Sequence, residues 1–521
     1  MVGTIYSLIP PIVMIILVLL TRKVLLSLGV GIIIGALIIT EFDVLQGLKT
    51  IWSSFSDIFV AEGAVNLGNV YLLLFLIFLG IMTAYMAASG GTKAFGDWAI
   101  TKVKTRKGAQ LVPSFLGIVI FIDDYFNSLA VGQVARPLTD RYRVSRAKLA
   151  YIIDSTSAPI TVLAPISSWG AYIIGTLAVI IEENKLIQYE PLEAFVKMIP
   201  MNLYAIVALL FVFIVILLKL DIGPMKIHER RAIQTGELVD PNRKDLNNGM
   251  EDDLIESKKG HVSFLLIPII VLIGVTITSM IVTGIQNTTG SVDIFAIFNN
   301  TDVNFSLFLG GLIGVIVAMV LYLLNRHSSA TNGKVIVEGT KSMLPAIYIL
   351  LLAWMLGAVI ELLETGPYLA NLVEQSELKV EYLPFIIFLL CGVMAFATGT
   401  SWGTFGIMLP IAGSIAANLD VDMFLPTLAA VLAGSVFGDH CSPISDTTIL
   451  SSTGAGSNHI DHVMTQLPYA IIGAVVAATG YIVLGITEQI LLSILVSIIL
   501  LLLISFVMKY LLKDEIEEKS L

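Results

Sequence analysis

The sequence predicts an all-α polytopic membrane protein made of two repeats of inverted topology. Three observations lead there. Only 13% of the 521 residues are charged and 56% are hydrophobic, whereas a soluble domain carries about 25% charged residues. The apolar residues form long blocks rather than amphipathic stripes, with a mean hydropathy of +0.89, as membrane spans require. Lys and Arg are gathered into a few loops, which fixes a direction for each span. This pattern excludes a soluble enzyme, a nucleic-acid binder and a secreted disulfide scaffold. The two cysteines, Cys391 and Cys441, sit in apolar context and offer neither a disulfide framework nor a zinc cluster. The net charge of −10 follows the loops and is no steering field.

Apolar blocks lie near 4–20, 24–40, 66–88, 109–135, 149–181, 199–220, 262–284, 304–324, 343–363, 382–411, 423–454, 465–484 and 487–508. The first 20 residues carry no positive charge and no small-residue cleavage site, so the first block is read as a span with its N-terminus outside. Of the 30 Lys and Arg, 26 fall in loops 21–23, 89–108, 136–148, 219–261 and 325–342 and in the C-terminal tail. Basic loops stay cytoplasmic. The block 109–135 has a basic loop on both sides and too few residues for two spans of about 20 each. It is therefore read as a re-entrant helical hairpin with its tip near Phe121–Asn127 (FIDDYFN). Block 382–411 is flanked by Glu374, Glu377 and Glu381 before it and by Asp420 and Asp422 after it. It is read as the mirror hairpin, entering from outside, with its tip near Thr398–Gly403. The remaining blocks give about 11 crossings and place the C-terminus in the cytoplasm.

The expected organisation is N-terminal spans over 1–65, a first repeat over 66–220 and a flexible cytoplasmic linker over 221–261. Connecting spans over 262–342, a second repeat over 343–484, and a last span with its tail over 485–521 follow. Each repeat runs from a Gly-rich helix end through a hairpin to an apolar helix expected to break at an Asp followed by small polar residues and a proline. These are Asp154–Pro159 (DSTSAP) and Asp439–Pro443 (DHCSP). A plain helix closes each repeat. Inverted repeats with discontinuous helices meeting at mid-membrane are a secondary-transporter plan.

Away from the block ends, five carboxylates fall inside these blocks: Asp123, Asp124, Asp154, Asp439 and Asp446. A charge at the bilayer centre costs at least about 2.5 kcal/mol on insertion scales, so such acids bind a cation or carry a proton. Burial favours the protonated form and a bound cation favours the ionised one, so one Asp can trade a proton for a sodium ion. Hydroxyl and amide oxygens suit a small hard cation. The candidate ion- and proton-binding set is Asp123, Asp124, Asn127, Asp154, Ser155, Thr156, Ser157, Thr398, Thr400, Ser401, Asp439, Ser442, Asp446 and Thr447. Asp124, Asp154, Asp439 and Asp446 are the candidate Na+ ligands. His440 is a candidate proton relay. Trp169 and Trp402 are expected to pack between the hairpins. His459 and His462 are read as loop residues without a role.

Gly438–Thr448 (GDHCSPISDTT) resembles the most characteristic segment of the NhaC-type sodium/proton antiporters, and FIDDYFN and DSTSAP resemble their first-half motifs. The resemblance spans roughly 66–484. It implies the inverted repeats, hairpins and broken helices of the ion-transporter superfamily. It also implies a bacterial plasma membrane location, exchange of Na+ (or Li+) for H+, and a homodimer. No cofactor is expected beyond Na+ and H+ as transported ions, no enzymatic activity, and no nucleic acid; the lipid bilayer is the expected surround. The second reading is a sodium- or proton-coupled carrier of a small organic anion (malate- or lactate-like) or of an amino acid. The lack of Lys or Arg inside the blocks, away from their ends, favours cation/proton exchange, since no cationic side chain awaits a carboxylate substrate.

Overall fold

The structure is a computed structural model. It describes the chain apart from residues 22, 62, 122, 166, 187, 244–259, 289–293, 295–296, 298–299, 326–330, 366, 369–370, 372–378 and 519–521. Among the described residues the only strands are Val60–Ala61 and Ala64–Val65, paired antiparallel. The helices are α1 (Ile9–Thr21), α2 (Val24–Ile39), α3 (Val44–Ser56), α4 (Leu67–Ala88), α5 (Gly91–Lys102), α6 (Arg106–Val119) and α7 (Asp124–Arg141). Next come α8 (Arg146–Leu163), α9 (Ser168–Glu183), α10 (Pro191–Met198), α11 (Leu203–Leu218), α12 (Gly223–Thr235), α13 (Ser263–Asn287) and α14 (Val303–Leu324). The last are α15 (Asn332–Leu362), α16 (Leu383–Thr398), α17 (Ser401–Leu419), α18 (Phe424–Cys441), α19 (Asp446–Ala455), α20 (His459–Thr487) and α21 (Ile490–Glu518).

Among the described residues, eight helices are long and apolar enough to cross a membrane, and two bent pairs can bring the total to ten. The chain is thus an all-α polytopic membrane protein. Polar side chains start the helices that begin in mid-bundle. Asp123 caps α7, Ser167 caps α9, Thr400 caps α17 and Ser445 caps α19, each accepting from a backbone N–H of the first turn. These caps satisfy N–H groups that water cannot reach in an apolar surround. Close backbone approach locks the pieces together. A Cβ on Gly132 of α7 would lie 2.4 Å from the carbonyl carbon of Gly454 in α19, so these helices cross nearly in contact.

Both predicted hairpins appear as helix pairs. Helices α6 and α7 pack together, and so do α16 and α17, joined at Gly399, whose φ of +72° favours glycine. With the short turn before it, α16 reaches 19 residues, and so does α17. Each is therefore long enough to cross alone. Glu374 and Glu377, which argued for the outer flank, lie outside the described residues.

Three readings need correction. Asp154 and Pro159 do not break a helix, because α8 runs through both and the interruption falls at 164–167. Proline removes only one N–H from the ladder, and tight burial holds the remaining turns. Its counterpart is broken as expected, with α18 ending at Cys441 and α19 starting at Asp446. The linker is not flexible throughout. Helix α12 packs on the ends of α6 and α8: Glu229 pairs with Arg106 and accepts from the Ser145 N–H at 2.8 Å. Just ahead of α12, Asp221 pairs with the buried Lys148 at 2.7 Å. Residues 244–259 of the expected linker lie outside the described residues. Finally, His459 and His462 are not loop residues but the buried first turn of α20, capped by Asn458. Polar first-turn residues look like a loop to a hydropathy window, although capping chemistry explains them.

Candidate functional site

The turn of the first hairpin, the start of α9, the turn of the second hairpin and the α18–α19 interruption converge on one buried region. Asp123, Asp124, Asp154 and Asp439 are all at most 3% exposed. Asp123, Asp446 and Asp439 lie within electrostatic reach of Asp124. Among the described residues no Lys or Arg pairs with any of the five carboxylates, and the one cation-capable partner is His462, beside Asp154.

The carboxylates differ sharply in their partners. Asp123 Oδ1 accepts from the Phe126 N–H at 2.9 Å and Oδ2 from Ser168 Oγ at 2.9 Å. It is thus a helix cap tied to α9. Asp124 Oδ1 accepts from Trp169 Nε1 at 2.9 Å, while its Oδ2 is buried and meets no donor among the described residues. Asp439 Oδ2 accepts from Ser401 Oγ at 2.9 Å and from Thr447 Oγ1 at 3.3 Å, while Oδ1 is likewise buried and unpartnered. Asp446 accepts from the Thr447 N–H at 2.8 Å and from the Tyr125 hydroxyl, which ties the first hairpin to the second interruption. Asp154 has the most donors of the five. Its Oδ2 accepts from Thr448 Oγ1 at 3.1 Å, His462 Nε2 at 3.1 Å and Gln466 Nε2 at 2.5 Å, and its Oδ1 from Ser451 Oγ at 3.2 Å.

The hydroxyl and amide candidates separate in the same way. Asn127 Nδ2 donates to the Gly117 and Ile120 carbonyls at 2.6 Å each and so caps the end of α6. Its Oδ1 is buried without a donor among the described residues. Ser401 and Thr447 touch Asp439 directly. Thr156, Ser157, Thr398 and Ser442 instead donate to backbone carbonyls, at 2.8, 3.3, 2.9 and 2.8 Å, as polar side chains in apolar helices commonly do. Thr400 caps α17, accepting from the Gly403 N–H. Ser155 is buried beside Asp154 on α8.

Among the described residues no three acidic, imidazole or thiol side chains close into a metal centre. The four Asp read as Na+ ligands therefore do not form one carboxylate cage. Donors from α19 and α20 fill Asp154, and Tyr125 engages Asp446. The region can still hold a small cation through one or two carboxylate oxygens, with hydroxyl and amide oxygens completing the shell.

Several contributors escaped the sequence reading. His462 and Gln466, four apart on α20, face Asp154 together, an i,i+4 pair that helical spacing could have flagged. Ser451 and Ser168 carry no signal of their own, while Tyr125 and Thr448 lie within the two motifs, but the partners of all four come from distant segments. Trp169 packs edge-on against Trp402 at 5.6 Å between centroids, as expected of an interface residue, but it also donates to Asp124. His440 Nδ1 lies 3.1 Å from the Tyr204 hydroxyl of α11, and its Nε2 is buried without a partner among the described residues.

Comparison with known proteins adds the following. A family model described as the Na+/H+ antiporter family matches residues 160–486. The chain is 45% identical over 491 residues to an uncharacterized protein of Haemophilus influenzae, covering 93% of this chain and 92% of that one. An uncharacterized Na+/H+ antiporter of the same organism is 36% identical over 106 residues, 20% of this chain and 22% of that one. A malate-2H+/Na+-lactate antiporter of Bacillus subtilis is 32% identical over 197 residues, 37% and 40% of the two chains.

Proposed function

The chain belongs to the Na+/H+ antiporter family, and from that premise we propose that it exchanges Na+ (or Li+) for H+ across the plasma membrane by alternating access. One observation carries the placement of the ion. Where the hairpin turns and the α18–α19 interruption meet, two carboxylate oxygens, Asp124 Oδ2 and Asp439 Oδ1, are buried without donors among the described residues. Asn127 Oδ1, one helical turn along from Asp124, is a third such acceptor. Acceptors left bare in an apolar interior are costly, and a cation or a proton removes that cost. The Na+ shell in this reading is Asp439 and Asp124, with Ser401, Thr447 and Asn127 as neutral oxygen ligands. Asp446 and Asp123 serve through Tyr125 and Ser168.

Coupling follows from charge. With neither ion bound, the carboxylates are bare anions, and moving them through the apolar interior costs at least about 2.5 kcal/mol each on insertion scales. With Na+ or H+ bound, that charge is neutralised. Only loaded forms change face, so one ion moves against the other. The transported ions are the only small molecules that the mechanism needs. The inverted repeats over 66–220 and 343–484, with about 11 crossings and two re-entrant hairpins, give the two faces their equivalence. The N-terminus lies outside, the C-terminus in the cytoplasm, and the working unit is a homodimer.

A carrier of organic anions or amino acids is less favoured. Its substrate carboxylate would meet buried acids and, among the described residues, no Lys or Arg beside them.

The test uses purified protein in liposomes with an acid interior, a pH dye and added NaCl, LiCl, KCl or choline chloride. Na+ or Li+ alone should collapse the gradient. A response to malate, lactate or an amino acid under a sodium gradient, with none to Na+ alone, would replace this reading.

A further inference from the structure

The two helices that carry Asp154 and Asp439 look equivalent in sequence, which suggests two cation sites. Their surroundings are not equivalent. A carboxylate offers about four lone-pair sites, two on each oxygen, and Asp154 has four donors on it: Thr448, His462 and Gln466 crowd Oδ2, and Ser451 takes Oδ1. Three of these hydrogens point at Oδ2, so Na+ could bind both oxygens of Asp154 only after several of these bonds were broken. Asp439, by contrast, keeps one oxygen bare among the described residues.

Two of the four donors reach further. Gln466 Nε2 donates both to Asp154 Oδ2 at 2.5 Å and to the His440 carbonyl at 2.9 Å. Thr448 Oγ1 is shared between Asp154 Oδ2 at 3.1 Å and the Asp439 carbonyl at 3.4 Å. These carbonyls belong to the last turn of α18, where the regular helical N–H partners run out and the Asp439 carbonyl otherwise takes the Ser442 N–H at 3.0 Å. The Asp154 carboxylate thus orients donors that hold the interrupted end of α18, and that end carries the Asp439 side chain.

We infer that Asp154 is a positioning residue rather than a cation ligand, so that the chain holds one Na+ and the first-repeat counterpart of that site is filled by the protein's own donors. This rests on the ion site proposed above.

The experiment is equilibrium binding of radioactive Na+ to the purified full-length protein, together with exchange in liposomes. Wild type should bind one Na+ per chain. Asp154→Asn should still bind one, and Asp439→Asn none. Thr448→Val should raise the half-saturating Na+ concentration about tenfold with the maximal rate within about twofold, the scale of one hydrogen bond to a charged group. Thr448→Ser should restore wild-type values. Two Na+ per wild-type chain would overturn the inference. So would a monodisperse, helical Asp154→Asn protein that has lost Na+ binding as completely as Asp439→Asn. Should Asp154→Asn fail to fold, Thr448→Val decides, and an unchanged half-saturation overturns the inference. Undiminished binding by Asp439→Asn would instead refute the ion site, and this inference with it.

Discussion

Replacing Asp439 with Asn tests the proposed chemistry most directly, because the substitution is nearly isosteric and its neighbours stay satisfied. The amide oxygen can still accept from Ser401 Oγ and Thr447 Oγ1, which now hold Oδ2 at 2.9 and 3.3 Å. The amide nitrogen then takes the place of the bare Oδ1 and turns two hydrogens toward the cation. At an effective dielectric of about 20, a unit charge pair 4 Å apart is worth about 4 kcal/mol. Losing that attraction corresponds to about a thousandfold in affinity. In liposomes with an acid interior, the Asp439→Asn protein should leave the pH gradient untouched at Na+ concentrations that saturate wild type. Circular dichroism and gel filtration should match wild type. Exchange within about tenfold of the wild-type rate would refute the reasoning, since no neutral ligand replaces a charge at that level.

Other outcomes follow from the same contacts. Trp169→Phe keeps the edge-on packing against Trp402 but removes the donor to Asp124 Oδ1, and it should shift the half-saturating Na+ concentration by about tenfold in the liposome assay. Tyr125→Phe removes the hydroxyl that ties the first hairpin to Asp446; a lower maximal exchange rate is expected, and an unchanged one would mean that this link is idle. Gly132→Val places a branched side chain against the Gly454 backbone and should lower the thermal midpoint, because overpacking commonly costs about 1–3 kcal/mol or more; a differential-scanning melt checks it. For topology, Arg141 and Lys197 are both about half exposed. A cysteine at Arg141 should react with an impermeant thiol reagent only from the cytoplasmic side, and one at Lys197 only from outside.

Much of this protein was legible in one dimension. A charged fraction of 13% cannot clothe a soluble globule, so the membrane class needed no coordinates. Charge segregation and block length located both helix pairs, and the run Asp439-His-Cys-Ser-Pro443 marked an interruption where α18 ends. Those features are local: they depend on composition within a window and on the geometry of a few consecutive residues. The fate of each buried carboxylate is not local. Asp154 and Asp439 look alike in sequence, each an acid followed by small polar residues and a proline. Only the packing of α8 against α19 and α20 brings His462 and Gln466, about three hundred residues further along the chain, onto Asp154, and only the second hairpin brings Ser401 to Asp439. Tight packing likewise keeps Pro159 inside α8 where the sequence suggested a break. Composition and periodicity decide whether a side chain is buried, but the donors that meet it there come from other segments. The tertiary fold therefore decided which acids are occupied by the protein itself and which keep an oxygen for an ion.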